Sequence, residues 1–380
     1  MDVLVAGAGP SGSIAALVLA RAGARVRLID RARFPRDKLC GDTLNPGALA
    51  LLDRLGIGAD VRRQALPVSG MVVTGPGGAR VAGDYGPGIT GVALTRRDLD
   101  MVLLEAARRA GAEIDEGRVV HHPLFEGGRV TGLRVEGVRG GEDARARMVV
   151  AADGRHSRLA FGLGLSYFAA RPRRWAFGAY YSGVSGLTSR GEMHIRSDGY
   201  VGVAPVPGGL ANVCVVREWQ RGVTSPMRGD IIAAALDADP ALRERFARAS
   251  RISVVTTLGP LAVESRSAGV PGLLLAGDAG GFIDPMTGDG MRFAVRGGEL
   301  AATAALEELE NGHPAYAALA RRRRLEFSGK WRFNRTLRAL VASPLGVGLA
   351  AGLASRWSAP VRPLIALAGD VALARRAHQA

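Results

Sequence analysis

Residues 2–30 read DVLVAGAGPSGSIAALVLARAGARVRLID, and the order of elements in this stretch decides the architecture. Asp2 to Ala6 is a short apolar run with the length of a buried strand, and Pro10 to Ala22, rich in Ala and Leu, reads as a helix. Gly7 permits a tight strand-to-helix turn, Gly9 lets the backbone approach a pyrophosphate, and Gly12 lets helix and strand sit close together. Pro10 and Ser11 open the helix, where N–H groups without partners and the positive end of the helix dipole favour phosphate. A second strand, Ala24 to Ile29, ends in Asp30, an acceptor for a ribose diol, with Arg31 beside it. Strand, helix, strand and terminal acid together predict an α/β unit that holds a dinucleotide.

Residues 273–294, LLLAGDAGGFIDPMTGDGMRFA, complete that site from far along the chain. Leu273 to Ala276 reads as a strand leading into Gly277-Asp278, and Met291 to Gly312 as a helix. A second Gly-Asp element so distant from the first narrows the ligand to a large, two-part cofactor such as FAD.

A chain of 380 residues holds one large domain with an insertion, or two moderate ones. Its 47% hydrophobic and 22% charged residues are ordinary for a globular protein. The net charge of +15 is not, and arginine dominates it, with a dense run at Arg321 to Arg324. No aromatic-interleaved basic motif accompanies it, so nucleic acid is not an expected partner. An anionic membrane surface, an acidic carrier protein or an anionic substrate would suit this charge, as would a plainly solvated surface. Cys40 and Cys214 give no disulfide framework and no metal-ligand spacing, so no metal is expected. The first residues form a core strand, so no signal peptide is expected and the cytoplasm is the expected location, with the membrane periphery as a variant. Ala339 to Ser355 carries no charge but is short and broken by Pro344, Gly346, Gly348 and Gly352, which suits a buried helical pair or a lipid-touching surface better than a membrane span.

Between the two ends, Pro46 to Leu55 reads as a helix with Asn45 as N-cap and Pro46 in first position. Pro67 to Ile89 suggests hairpin strands, Arg96 to Ala110 a helix, and Ala112 to Val120, Gly128 to Glu136 and Ala144 to Ala151 β structure. Trp175 to Val216 suggests several strands of an antiparallel sheet, and Ile231 to Ala249 a helix. The expected domains are a discontinuous FAD-binding domain of residues 1–68, 91–165 and 258–325, a substrate domain of 69–90 and 166–257, and a helical carboxyl-terminal region of 326–380. The ligand is expected between domains, at the carboxyl ends of the parallel strands.

Three motifs together resemble the para-hydroxybenzoate-hydroxylase-like flavoprotein superfamily: Gly7, Gly9, Gly12 with Asp30; Gly277 with Asp278; and Asp153-Gly154 in AADGRHSR. The resemblance implies an α/β, Rossmann-type FAD-binding domain of the glutathione-reductase-like kind, with an inserted antiparallel sheet. It implies that the first motif holds the ADP part of FAD and the second the ribityl and pyrophosphate part. Asp153 and Gly154 would serve both FAD and reduced pyridine nucleotide, Arg96 would touch the flavin cofactor, and Val120 lies where adenine-side contacts occur. Lys38-Leu39-Cys40-Gly41-Asp42 followed by Pro46 is similar to the loop of geranylgeranyl reductases, as are Asp284-Pro285 and Gly288-Asp289-Gly290. Hydroxylases of aromatic acids more often carry a His where Gly280 and Gly281 stand here. Flavin-dependent halogenases carry a Trp-x-Trp-x-Ile-Pro element, and Tyr200 to Pro205 has neither Trp. The reductases in turn usually have an aromatic pair there, which Gly202 and Ala204 do not supply.

On this resemblance Cys40, Gly41 and Asp42 lie near the flavin, with Cys40 as a proton donor; the plainer reading of Cys40 is a small apolar residue in a turn. Pro285 and Gly288, with Asp289, Gly290 and Met291, would lie beside the isoalloxazine, keep bulk water away and bring backbone N–H groups to the flavin carbonyl end. Lys38 and Arg36 would meet phosphate, an anionic substrate or only solvent. His194 shares a strand face with Glu192 and reads as a satisfied structural histidine; His121 and His122 read as surface, and Cys214 as core. The expectation is an FAD-dependent oxidoreductase acting on a lipophilic small molecule, such as a polyketide, aromatic or isoprenoid compound, with NAD(P)H as reductant. Monooxygenation by O2, as hydroxylation or epoxidation, leads over alkene reduction, because the aromatic pair is missing and oxygen insertion is the commonest reaction of the superfamily. Halogenation and electron transfer stand further back.

Overall fold

The computed structural model describes residues 1–137, 140–170, 173–218, 228–282, 286, 288–342 and 361–379. Val3–Ala6, buried at every position, lies within a six-stranded sheet. The strand order is Gly269–Val270, Leu273–Leu275, Met148–Ala151, Val3–Ala6, Val26–Asp30, Glu113–Glu116. All neighbours are parallel except the first pair. Parallel sheets are covered on both faces, which is why these strands are continuous apolar runs. On one face Val3 and Val5 share a core with Leu17, Leu103 and Ala301 of the helices Pro10–Arg21, Arg96–Arg109 and Gly290–Asn311. On the other, Leu4 and Ile29 meet Leu133 and Val135 of a three-stranded antiparallel sheet.

The second large sheet has Arg174–Ser182 and Leu210–Glu218 at its heart, continued by Gly199–Val206, Arg190–Arg196, Gly70–Thr74 and Arg80–Asp84. It departs from the expected antiparallel sheet at one pair: Gly70–Thr74 runs parallel to Arg190–Arg196. That strand comes from the earlier of the two chain stretches that build the sheet, so no hairpin dictates its direction. One face, through Phe177, Val203 and Val213, buries Ile232 and Leu242 of the helices Arg228–Asp237 and Pro240–Phe246. The single helix expected over Ile231 to Ala249 is two, because Asp239 accepts from the Ala241 N–H and Pro240 opens a new helix. The opposite face, with Ala176, Tyr200 and Val216, looks towards the first sheet.

Asn45 caps Pro46–Arg54 as expected, accepting from the Ala48 N–H at 2.8 Å. The expected boundary at 325/326 falls inside the helix Tyr316–Ala342, where Glu326 accepts from Arg292 at 3.0 Å and Arg296 at 3.1 Å. Beyond Ala342, the stretch whose uncharged run was singled out lies outside the described residues. The helices Val361–Ala368 and Val371–Gln379 rest on Pro46–Arg54 and Arg80–Asp84, joining Ile365 and Val371 to Ala50 and Tyr85. Among the described residues no helix is long and apolar enough to cross a membrane.

Candidate functional site

A cavity with about 220 Å³ of room for the centres of water-sized molecules lies between the carboxyl ends of the parallel strands and the Ala176, Tyr200 and Val216 face of the second sheet. Its first wall begins with the glycine turn. Gly7 has φ +96, and a Cβ there would lie 2.5 Å from the Ala152 carbonyl oxygen. A Cβ at Gly12 would lie 1.7 Å from the Gly7 oxygen, so helix and strand touch through backbone. Gly9, Pro10 and Ser11 line the cavity, and no side chain caps the helix they open. Its first N–H groups therefore point towards the cavity without intrahelical partners. Asp30 accepts the Ala8 N–H through Oδ2 and the Ala32 N–H through Oδ1, each at 2.7 Å, fixing the turn to the end of the second strand.

Cations crowd the middle of the cavity. Arg96 donates to both oxygens of Asp100 at 2.8 and 2.9 Å, and Arg36 reaches the same carboxylate at 3.1 Å. Lys38 lines the cavity, and burial, then the Arg96 and Arg36 charges, push its ammonium down to about 8. Arg155 is 5% exposed, and its Nη2 meets His156 Nε2 at 3.3 Å, while its Nε and Nη1 have no hydrogen-bond partner among the described residues. Desolvation lowers this guanidinium to about 10, with Asp278 opposing. Burial raises the Asp278 carboxyl, against the pull of Lys38, Arg155 and Arg96. Ser11 Oγ and Asp153 Oδ1 are also buried without partners.

These orphans suit FAD. A diphosphate would satisfy the Arg155 guanidinium and the helix amino terminus, and hydroxyls of the ribityl chain would satisfy carboxylate oxygens. The helix Gly290–Asn311 also begins at the cavity, with Gly290, Met291 and Ala294 in its lining and Gly288 just before.

Where the two walls meet stands the loop of Leu39, Cys40 and Gly41, all three in the lining. Burial pushes the Cys40 thiol up, and the positive charge of the nearby Arg96 guanidinium opposes it. Asn212 of the second sheet donates to the Cys40 carbonyl at 2.9 Å and to Asp42 Oδ2 at 2.6 Å. Tyr180 donates to the same Asp42 oxygen at 2.5 Å. Asp42 adopts φ +53, is buried, and is pushed up to about 6 by desolvation against those two hydrogen bonds. It clamps the loop to the sheet and is not part of the cavity lining.

Other expected residues also sit away from the lining. Arg31 is exposed, and Val120 pairs with Val135 at the start of its strand. Asp289 is buried beside the cavity, accepting from Asn45 at 3.1 Å and Lys330 at 2.9 Å; Lys330 also donates to the carbonyls of Leu367 and Ala368. The loop before Met291 is thereby tied to the carboxyl-terminal helices. Pro285 and Asp284 lie outside the described residues. His194 is held on both ring nitrogens, by Glu192 at 3.0 Å and Thr74 at 2.9 Å, while His121 and His122 are exposed. Cys214, expected in the core, lines the cavity instead, because alternation along Leu210–Glu218 puts it on the face opposite Val213 and Val215.

Sequence reasoning missed Arg155, whose signal was its place directly after a buried Asp-Gly turn. It also missed Arg323: this member of the basic run is buried and donates to the Gly280 carbonyl at 2.5 Å. A Cβ at Gly280 would fall 2.2 Å from its Nη1, which explains a glycine at that position. Met71, Met193 and Met286 line the cavity too, and only sheet register and loop placement bring them there.

Residues 1–325 match the family model described as FAD binding domain. Digeranylgeranylglycerophospholipid reductase 2 of Methanopyrus kandleri is 30% identical over 361 residues, covering 90% of this chain and 86% of the relative. Menaquinone reductase of Mycobacterium tuberculosis is 33% identical over 331 residues, covering 79% and 75%. A geranylgeranyl bacteriochlorophyll reductase-like structure from Thermoplasma acidophilum aligns with a TM-score of 0.79 at 25% identity, over 96% of this chain and 98% of that one. A flavin-dependent brominase aligns with a TM-score of 0.84 at 20% identity, over 100% and 98%, which shows a shared fold.

Proposed function

The chain belongs to the FAD-binding domain family, in its geranylgeranyl reductase-like branch, and is an FAD-dependent oxidoreductase; on that premise we propose that it reduces a carbon–carbon double bond in a lipophilic isoprenoid chain. The observation that carries this reading is Cys40, a thiol kept protonated by burial at the junction of the charged wall and the apolar wall. FAD, when bound and reduced by NAD(P)H, supplies the hydride equivalent. The protein supplies the rest. The Cys40 thiol gives its proton to the second carbon, and the positive charge of the nearby Arg96 guanidinium stabilises the resulting thiolate. Asp100 holds Arg96 in place through two hydrogen bonds, and solvent then restores the thiol proton. The cavity wall of Leu258, Leu261, Phe282 and Met286 excludes water from the reacting bond.

This departs from the oxygenation favoured on sequence. Relatives at 30% identity or more carry reductase names, and geranylgeranyl groups and the menaquinone tail are polyunsaturated isoprenoid chains. A thiol proton donor serves alkene reduction and has no part in transfer of oxygen from a flavin peroxide. The test is a single turnover without O2. Dithionite-reduced holoprotein is mixed with a geranylgeranylated lipid that carries no other reducible group, and product is weighed by mass spectrometry. A gain of two hydrogens is expected, slowed about 100-fold or more in C40S at unchanged flavin content. Product that forms only with O2, and carries one isotopically labelled oxygen atom from it, would overturn the reading.

A further inference from the structure

The cavity-facing side of the second sheet is organised in cross-strand rows. Gly178, Cys214, Gly202 and Met193 stand in register across four strands. Two positions along each strand, and hence on the same face, Ala176, Val216 and Tyr200 form the row on one side. Tyr180, Asn212 and Ala204 form the row on the other. The middle row begins with two glycines and a cysteine, so a furrow runs across the sheet between the taller Tyr200 and Val216 on one bank and Asn212 on the other.

The two glycines of the furrow differ. A Cβ at Gly178 would lie 2.1 Å from Leu39 Cδ1, so the loop that carries Cys40 closes that end. Among the described residues, a Cβ at Gly202 would meet nothing nearer than the Cys214 carbonyl oxygen at 3.8 Å and the Glu192 carbonyl oxygen at 3.9 Å. Above Gly202 the furrow is open, and it continues to Met193, a flexible side chain that adapts to an apolar neighbour. Three inter-strand spacings separate Gly178 from Met193, about 14 Å. Both Gly202 and Met193 belong to the same cavity as Cys40.

We infer that Gly202 is the specificity-determining residue for the apolar chain of the substrate: by lacking a side chain it lets the chain pass along the furrow beyond the reacting bond, and so sets the length accepted. The inference rests on the proposed reading for the class of substrate, an isoprenoid chain, but not for the reaction. Each methylene laid in such a furrow is stabilised by leaving water. Affinity should therefore rise with chain length until the furrow is full.

The experiment measures binding to the oxidised holoprotein, with no turnover required, by perturbation of flavin absorbance. The probes are geraniol, farnesol and geranylgeraniol. Wild type should bind them with rising affinity. In G202F the longest alcohol should lose about 10-fold or more while the shortest changes less than about 2-fold, at unchanged flavin content. G202A should follow wild type, since the space for one methyl group exists. Should G202F not retain FAD, A204L narrows the same furrow from its bank and carries the same expectation. A wild-type length dependence in a flavin-replete G202F or A204L protein overturns the inference. Failure of the alkene-reduction test leaves this binding readout standing, so the two outcomes are separable.

Discussion

A side chain at Gly12 would bring its Cβ to 1.7 Å from the Gly7 oxygen, and one at Gly298 to 2.3 Å from the Ser11 oxygen, whereas at Gly202 the nearest atom is 3.8 Å away. Gly12 and Gly298 thus differ from Gly202 in what the missing side chain does. At Gly12 and Gly298 it lets backbone touch backbone in the wall proposed for the cofactor. At Gly202 it leaves space, although Gly178 in the same row is closed by Leu39. Charge divides the same way. Lys38, Arg96 and Arg155 gather at the first wall, while Ala176, Val216, Leu258 and Leu261 line the second. Rigidity is concentrated where the ligand never changes.

The sharpest way to break this contrast is Gly12→Val. It has no space to occupy, so the turn must open, and flavin binding should fall by more than about 100-fold, read from bound flavin absorbance after reconstitution. Retained flavin would show the cradle to be softer than its contacts imply. Next comes Arg155→Met. Loss of charged hydrogen bonds to a diphosphate should weaken FAD about 10- to 100-fold, while the apoprotein melts at a higher temperature because a buried guanidinium with Nε and Nη1 unsatisfied among the described residues has gone. An apoprotein that melts lower would place Arg155 in the scaffold instead of the binding wall.

A different kind of effect, on stability and not on binding, concerns Asp42, the clamp between the walls. Its carboxyl is raised from 3.8 to about 6, chiefly by desolvation, so the folded protein holds this proton more tightly than the unfolded chain. The contribution to stability is present in full below about pH 4 and is lost as pH rises through about 6, roughly 3 kcal/mol at 1.36 kcal/mol per pKa unit. Urea midpoints of wild type and D42N at pH 4 and 7 should differ by that slope, with D42N lacking the decline. Equal slopes would mean the carboxyl is better solvated than its burial indicates.

The cofactor wall was legible in the sequence because its chemistry leaves few choices. Phosphate at a helix amino terminus demands Gly7, Gly9 and Gly12 at fixed spacing, and the distant Gly277-Asp278 announces a second contact with the same ligand. The roles of Asp42 and Asp289 were not legible. Both are acids in glycine-rich loops, but their partners Tyr180, Asn212 and Lys330 come from elements whose approach only tertiary packing defines. The furrow was hidden for a related reason. Gly178, Cys214, Gly202 and Met193 have no common spacing in the chain, and only strand register sets them side by side. Arg323 was misjudged because a run of four arginines reads as a solvated face, while helical periodicity turns one of them inward.

The strand order Leu273–Leu275, Met148–Ala151, Val3–Ala6 has a consequence for biosynthesis. At about 5–20 residues per second, the ribosome makes Val3–Ala6 on the order of tens of seconds before Leu273–Leu275. Through that interval a wholly apolar, buried strand waits for a sheet that is only partly made, and Asp278 of the cavity wall is not yet there. Lys330 and the carbonyls of Leu367 and Ala368, which secure the loop before Met291, come later still. FAD would therefore meet the whole of its proposed site only on a chain synthesised almost throughout.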